Sequence, residues 1–391
     1  MSWRVALRAL LTSTALVILA FPSLIIAGAF LPHAAAVSRL GALLDVGLAW
    51  ILVAVVVATG MVGVAVWLGG RRFTLLLLLP ALVVTSGTGI VAYRYWSFAQ
   101  ANGAYFDIAR GLAERPSDPP ADATFTYPTS DPAISLHAEL WRSPAGARNP
   151  GSHPRAAVVY VHGGAFVGGG LHMRPQLFAA LAAAGYPVLD IEYRLAPPPR
   201  WVDAPGDVLC GLAFLRTIAD DEGIDPNRVV VMGDSAGGSL ALLATYAAGT
   251  DMLASSCAGD PIVPAAVVGI APAADLAGIW QDNTISGAGL RFPEAYIGGS
   301  PAAFPDRYAA ASPFRMIRAG LPPTLLIAGE NDHLVLHPRV TAIADALRAA
   351  SDDVRLLIVP FAEHGFDGLP NGFGAQTELS IVSAFVAEVA G

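Results

Sequence analysis

Three long apolar stretches open the chain: Ala9 to Leu31, Val46 to Leu68 and Phe73 to Tyr93. At about 1.5 Å of helix rise per residue, each can cross a hydrocarbon layer of about 30 Å. A helix buried in a protein core is the alternative, but three such runs in succession, nearly free of charge and joined by short loops, have no amphipathic face. The pattern therefore predicts a membrane domain over residues 1–94 with three transmembrane helices, at about 9–31, 46–68 and 73–93. Residues 95–127, which include the Pro- and Asp-rich "ERPSDPPADATF", read as an exposed linker or the edge of a cap.

From residue 128 onward the pattern alternates between strand and helix. "ISLHAELW" (134–141) alternates apolar and polar residues, while "AAVVYV" (156–161) and "YPVLDIEY" (186–193) are apolar and β-branched, with a helix-like stretch at 175–185 between them. Further strands are expected at 229–232, 265–270, 324–328 and 354–359, and helices near 205–218, from 236, at 340–349 and near 377–389. Such alternation predicts an α/β fold, a mostly parallel sheet covered by helices on both faces, over residues 128–391. Between 272 and 320 the rhythm fails. The pairs Phe292/Tyr296 and Phe304/Tyr308 have helical spacing there, but no single period covers the segment, which reads as a cap-like insertion.

Charge sharpens this division. The chain carries 31 acidic residues and 23 arginines, without a lysine, for a net charge of −8. Up to position 94 the only acid is Asp45, against six arginines; the remaining 30 acids and 17 arginines leave the rest at −13, which excludes nucleic acid as a partner. Arg4 and Arg8 precede the first span and Arg71 and Arg72 separate the second from the third, against Arg39 and Arg94 on the other side. That bias predicts a cytoplasmic N-terminus and a C-terminal domain on the extracytoplasmic side. "PHAAAV" (32–37) resembles a signal-peptidase site, and cleavage there leaves this topology unchanged. Two cysteines are too few for a disulfide framework; Cys210 reads as a small buried apolar residue and Cys257 as a loop residue, and the two are left unpaired.

The chemistry lies in four short segments. Gly233-Asp234-Ser235-Ala236-Gly237 is a G-x-S-x-G between an expected strand and an expected helix, the setting a nucleophile elbow requires. A phosphate loop is the competing reading, but it lacks the lysine and glycine spacing of that motif. "YVHGGAFVGGG" (160–170) offers backbone N–H groups of Gly163 and Gly164 which, with that of Ala236, form a candidate oxyanion hole, or else simply a tight strand exit. His162 reads as ordering that loop. A serine hydroxyl needs a base held in one tautomer by a carboxylate. His364 in "VPFAEHGF" and Asp332 in "IAGENDHL" follow the last two expected strands in the order Ser, Asp, His; Glu330 and His333 are the rivals for acid and base. No group of residues has metal-site spacing, and no cofactor is implied.

"YVHGGAFVGG", "EYRLAPPPRW", "DPNRVVVMGDSAGGSLAL", "LLIAGENDHLV" and "EHGF", in this order over roughly residues 130–390, resemble the α/β-hydrolases of the hormone-sensitive-lipase-like carboxylesterase group. The resemblance implies that Ser235 attacks an ester carbonyl, that His364 is base and then acid, and that Asp332 orients it. Two departures, Ala165 where many members have a third glycine and Glu192 where an aspartate is usual, bear on acyl or alcohol specificity. The expected function is a membrane-anchored serine esterase or lipase for short, medium or lipid-like acyl esters, its partners being that substrate and the bilayer. An amide or peptide hydrolase of the same fold and a non-catalytic binding protein are the alternatives. The Ala-, Gly-, Pro- and Arg-rich composition fits a bacterial source.

Overall fold

The computed structural model describes residues 3–34, 37–69, 73–143, 155–282 and 287–390. Arg71, Arg72 and His153, and part of the "PHAAAV" segment, lie outside the described residues. The chain divides into two compact units, and the division is not the one expected at residue 94. The smaller unit joins Met1–Pro116 to Gly329–Asn331 and Val359–Ser380; the larger comprises Ser117–Ala328, Asp332–Ile358 and Ile381–Gly391.

In the smaller unit, α1 (Trp3–Phe30), α2 (Leu43–Trp67), α3 (Phe73–Ala101) and the short α4 (Ile108–Leu112) follow in order. Among the described residues, Trp3–Phe30 and Gly47–Trp67 are long and apolar enough to cross a membrane, so two such helices stand where three were expected. The third expected span begins on residues 73–77 of α3, whose side chains lie outside the described set. Only 28% and 33% of the most apolar windows of the two helices are buried. The buried positions of α1, including Ala15, Leu19, Pro22, Ile26 and Ala29, form one stripe at three- and four-residue spacing. The other faces leave large apolar side chains such as Val17, Phe21, Val56 and Trp67 exposed. α3 runs on to Ala101, so the connector starts later than expected, because "RYWSFAQA" has no helix breaker.

Among the described residues, the sheet of the larger unit has eight strands: β1 (Ala123–Pro128), β2 (Ser135–Trp141), β3 (Arg155–Val161), β4 (Val188–Ile191), β5 (Ile224–Asp234), β6 (Ala266–Ile270), β7 (Thr324–Gly329) and β8 (Val354–Val359). Their spatial order is β1-β2-β4-β3-β5-β6-β7-β8. β1 and β2, and β2 and β4, pair antiparallel, whereas β4, β3, β5, β6 and β7 form a parallel run. β4 and β6 are buried at every position, as strands covered on both faces must be, while β2 begins by alternating exposed and buried residues. The crossovers are α5 (Pro175–Ala183), α6 (Asp203–Glu222) and α7 (Ser235–Ala247), followed by α8 (Leu276–Asp282), α9 (Ala288–Ile297) and α10 (Pro305–Ala310) in the insertion, then α11 (His337–Ala349). The final helix α12 (Phe373–Ala390) begins in the smaller unit and ends in the larger. The aromatic pairs of the insertion mark its helices: Phe292 and Tyr296 lie on α9, and Phe304 caps α10, which carries Tyr308.

Cys210 and Cys257 are joined in a disulfide, with Cα atoms 5.3 Å apart, which corrects the expectation that they stay unpaired. Their 47-residue separation hides a local fit. The loop carrying Cys257 lies along α6, with Ser256 N–H donating to the Gly206 carbonyl (3.0 Å) and Ser256 Oγ to Asp207 Oδ1 (2.6 Å). Asp207, fully buried, is also gripped by the Arg194 guanidinium at 2.7–3.2 Å, which accounts for the arginine of "EYRLAPPPRW". Closing a loop of this length contributes roughly 4 kcal/mol in the chain-entropy account.

Candidate active site

Ser235 stands where β5 ends and α7 begins, with φ at 52°. A non-glycine residue in this left-handed region is held there by its surroundings, and here they are the flanking glycines. A Cβ on Gly237 would run into the Val161 and His162 carbonyls, and one on Gly233 into the Gly237 carbonyl. Helix and strand thus approach at a distance that only glycine permits. The serine lies at the carboxyl edge of the parallel run, where α/β sheets hold their ligands.

The turn after β3 lies beside it. Asp234, the first of the two variable residues of the pentapeptide, accepts on Oδ1 from Gly163 N–H at 3.1 Å and from the Tyr160 hydroxyl. Gly163 N–H, one of the three expected oxyanion donors, thus donates to a carboxylate. Gly164 adopts φ 118°, and a side chain there would strike the Gly168 carbonyl. His162 is buried, its Nδ1 donating to the Gly163 carbonyl (2.7 Å), its own carbonyl accepting from Tyr193 Oη (3.0 Å) and its ring stacked on Tyr193 at 4.3 Å. Burial pushes its imidazole below the usual range, against the smaller opposing pull of the Gly163 bond. Four residues after His162, Phe166 stacks at 4.0 Å on Tyr296 of α9, which brings the insertion onto this turn.

Asp332 follows β7, only 3% exposed, and its Oδ1 accepts from the N–H groups of Leu334 and Val335, both at 2.8 Å. These bonds fix the carboxylate in the larger unit, which also holds Ser235. His364 follows β8 in a segment of the smaller unit, its N–H donating to Glu363 Oε1 at 3.0 Å. Of the rivals, Glu330 is engaged in that same unit, taking Arg94 on Oε1 (3.1 Å) and Phe361 N–H on Oε2 (2.9 Å). His333 is partly buried beside Asp332. Among the described residues no cluster of His, Cys, Asp and Glu could hold a metal ion.

The BD-FAE family model matches residues 147–347, just over half of the chain. The chain belongs to the BD-FAE family. Its curated relatives include ester hydrolases: esterase LipC of Mycobacterium tuberculosis is 32% identical over 63% of this chain and 60% of LipC. Ethyl acetate hydrolase of Pseudomonas putida is 30% identical over 65% of this chain and 78% of the hydrolase. The chain spans only about 60% of the length of LipC, and the matched part excludes over a third of its own residues. Among solved structures, Thermogutta terrifontis esterase 2 phosphonylated by cyclosarin aligns with a TM-score of 0.56 at 25% identity, covering 70% of this chain and 96% of that one.

Two groups went unremarked in the sequence. Tyr160 was visible only as an apolar strand residue, and nothing local connects its hydroxyl to Asp234. In the sequence Asp45 stands out only as the lone acid at the head of an apolar stretch, a setting in which a carboxylate is costly to bury unless its oxygens are satisfied.

Proposed function

We propose that this BD-FAE member is a membrane-anchored serine carboxylic ester hydrolase of the hormone-sensitive-lipase-like group, cleaving short, medium or lipid-like acyl esters. The observation that carries the reading is the strained Ser235 turn at the carboxyl edge of the parallel sheet. Ser235 Oγ attacks the ester carbonyl while His364 takes its proton; the N–H groups of Gly164 and Ala236 receive the oxyanion, and Asp332 orients the imidazole. Collapse breaks the C–O bond to the alcohol, which leaves with the proton from His364. Water then attacks the acyl-serine with the same base, releasing the acid and restoring Ser235.

The exposed apolar faces of α1 and α2 support anchoring in a bilayer. The Cys210–Cys257 disulfide supports an extracytoplasmic catalytic domain, because such bonds persist in oxidising compartments, and the arginine bias points the same way.

The test is hydrolysis of p-nitrophenyl esters from acetate to palmitate by the detergent-solubilised full chain and by Ser235→Ala, alongside labelling with a fluorophosphonate. The related Thermogutta esterase is phosphonylated by cyclosarin, so a phosphonylating probe suits this chemistry. Loss of both turnover and labelling in Ser235→Ala is expected; turnover that survives the substitution refutes the assignment. The chain-length optimum separates a short-acyl esterase from one fed by lipid.

A further inference from the structure

Asp45 is the sole acid among the first 94 residues, and it is 5% exposed. A carboxylate placed at the head of an apolar helix is expensive to bury unless its oxygens are satisfied. Here they are. Oδ1 accepts from the Tyr95 hydroxyl at 2.6 Å, and Oδ2 accepts from the backbone N–H of Glu363 at 2.9 Å. The residue after that anchored N–H is His364.

The rest of the loop is held in the same way. At its start, Arg94 of α3 donates to Glu330 and lies 4.9 Å over the Phe361 ring, while Phe30 of α1 meets that ring edge-on at 5.0 Å. Asn331 Nδ2 donates to the Ala29 carbonyl at 2.9 Å, so the turn after β7 is tied to α1 as well. At the loop's far end, Gly372 sits so close to α2 that a Cβ would stand 2.7 Å from the Asp45 carbonyl, and Phe373 packs edge-on against Tyr95 at 5.6 Å. Aromatic contacts close the two ends, and in the middle Asp45 takes the Glu363 N–H while the Glu363 carboxylate takes the N–H of His364 itself.

We infer that the membrane helices are a working part of the catalytic apparatus rather than a tether, and that Asp45 is a positioning residue that sets the backbone carrying His364. This rests on the reading of His364 as the base. A base displaced by about 1 Å costs on the order of 100-fold in turnover, with little effect on ground-state binding. Loss of the Asp45 oxygens should therefore appear in kcat and in the pH profile that reports the base, rather than in KM.

The test uses the full chain in detergent, with kcat, KM and the acid limb of the pH–rate profile measured on a p-nitrophenyl ester for wild type, Asp45→Ala and Asp45→Asn. Asp45→Ala should lose about 10- to 100-fold in kcat, with KM changed less than about threefold and a displaced acid limb. Asp45→Asn should recover most of that loss, because its amide oxygen can accept from Glu363 N–H while its NH2 donates to a rotated Tyr95 hydroxyl. Wild-type kcat and pH profile in Asp45→Ala overturn the inference, as does an equal loss in both variants. If Asp45→Ala does not fold, Tyr95→Phe takes its place: it keeps the aromatic packing and loosens only the carboxylate. A several-fold kcat loss with a displaced acid limb then supports the inference, and wild-type behaviour overturns it. Ser235→Ala runs in parallel. Activity that survives it defeats the triad reading, whereas Ser235-dependent activity untouched at Asp45 defeats only the present inference.

Discussion

Ser235 directly follows an 11-residue strand whose last stretch is almost wholly buried, and glycines that tolerate no Cβ shape its turn. His364 lies in an irregular segment between β8 and α12, held by single polar contacts and aromatic edges to α1, α2 and α3. The close glycine contacts of the serine turn lie within residues 161–237, and Ala273 N–H, just beyond β6, donates to the Ser235 carbonyl at 3.0 Å. The histidine segment takes the Phe361–Glu330 bond from the neighbouring strand end but is also held by partners some 270 to 330 positions earlier in the chain, as the Glu363–Asp45 separation of 318 illustrates. Close packing makes the first region precise and brittle, whereas directional bonds let the second be set, and unset, by a distant element.

The largest effect should come from the two groups proposed to hand over the proton. His364→Ala is expected to lower kcat on the order of 10⁶-fold, close to the loss from removing the nucleophile, while Asp332→Ala should cost roughly 10⁴-fold. Steady-state kinetics on a short ester compares them; if His333→Ala shows the greater loss, the base lies in the larger unit and the contrast collapses.

Next in size is a stability effect confined to the serine region. Gly237→Ala forces a methyl group against the Val161 and His162 carbonyls, backbone atoms that cannot yield cheaply, and should cost on the order of 3 kcal/mol. Urea unfolding followed by tryptophan fluorescence measures it, and a change below about 1 kcal/mol would show the turn to be far softer than its geometry requires.

The smallest is a pH effect from His162. Burial lowers its folded pKa below 6.5, so in the interval between the folded value and 6.5 the unfolded chain takes a proton that the folded side chain refuses. Its contribution is complete above about pH 6.5 and declines as the pH falls toward the folded value, by at most about 1.4 kcal/mol per pH unit. His162→Asn should flatten this slope in urea midpoints taken between about pH 5 and 7, and an unchanged slope assigns it to another group.

Most of the α/β fold could be read along the chain. Alternating periods marked every strand of the parallel run, and the expected 265–270 and 354–359 strands appear within one residue of those limits. The serine turn was equally legible, since an elbow needs only a strand, five residues and a helix. The edge strand β1 was hidden in what read as linker, because "ATFTYP" is too short and polar to stand out until it pairs with β2.

The apolar segments, the strand and helix rhythm, the serine turn and the family motifs can be read from the chain alone, because each is encoded over fewer than about 25 consecutive residues. The Cys210–Cys257 bond, the use of Gly163 N–H by Asp234, and the grouping of the His364 segment with the apolar helices emerge only once the chain is folded. Those depend on which side chains meet across distant parts of the chain, and no local period records the partner of a buried polar group.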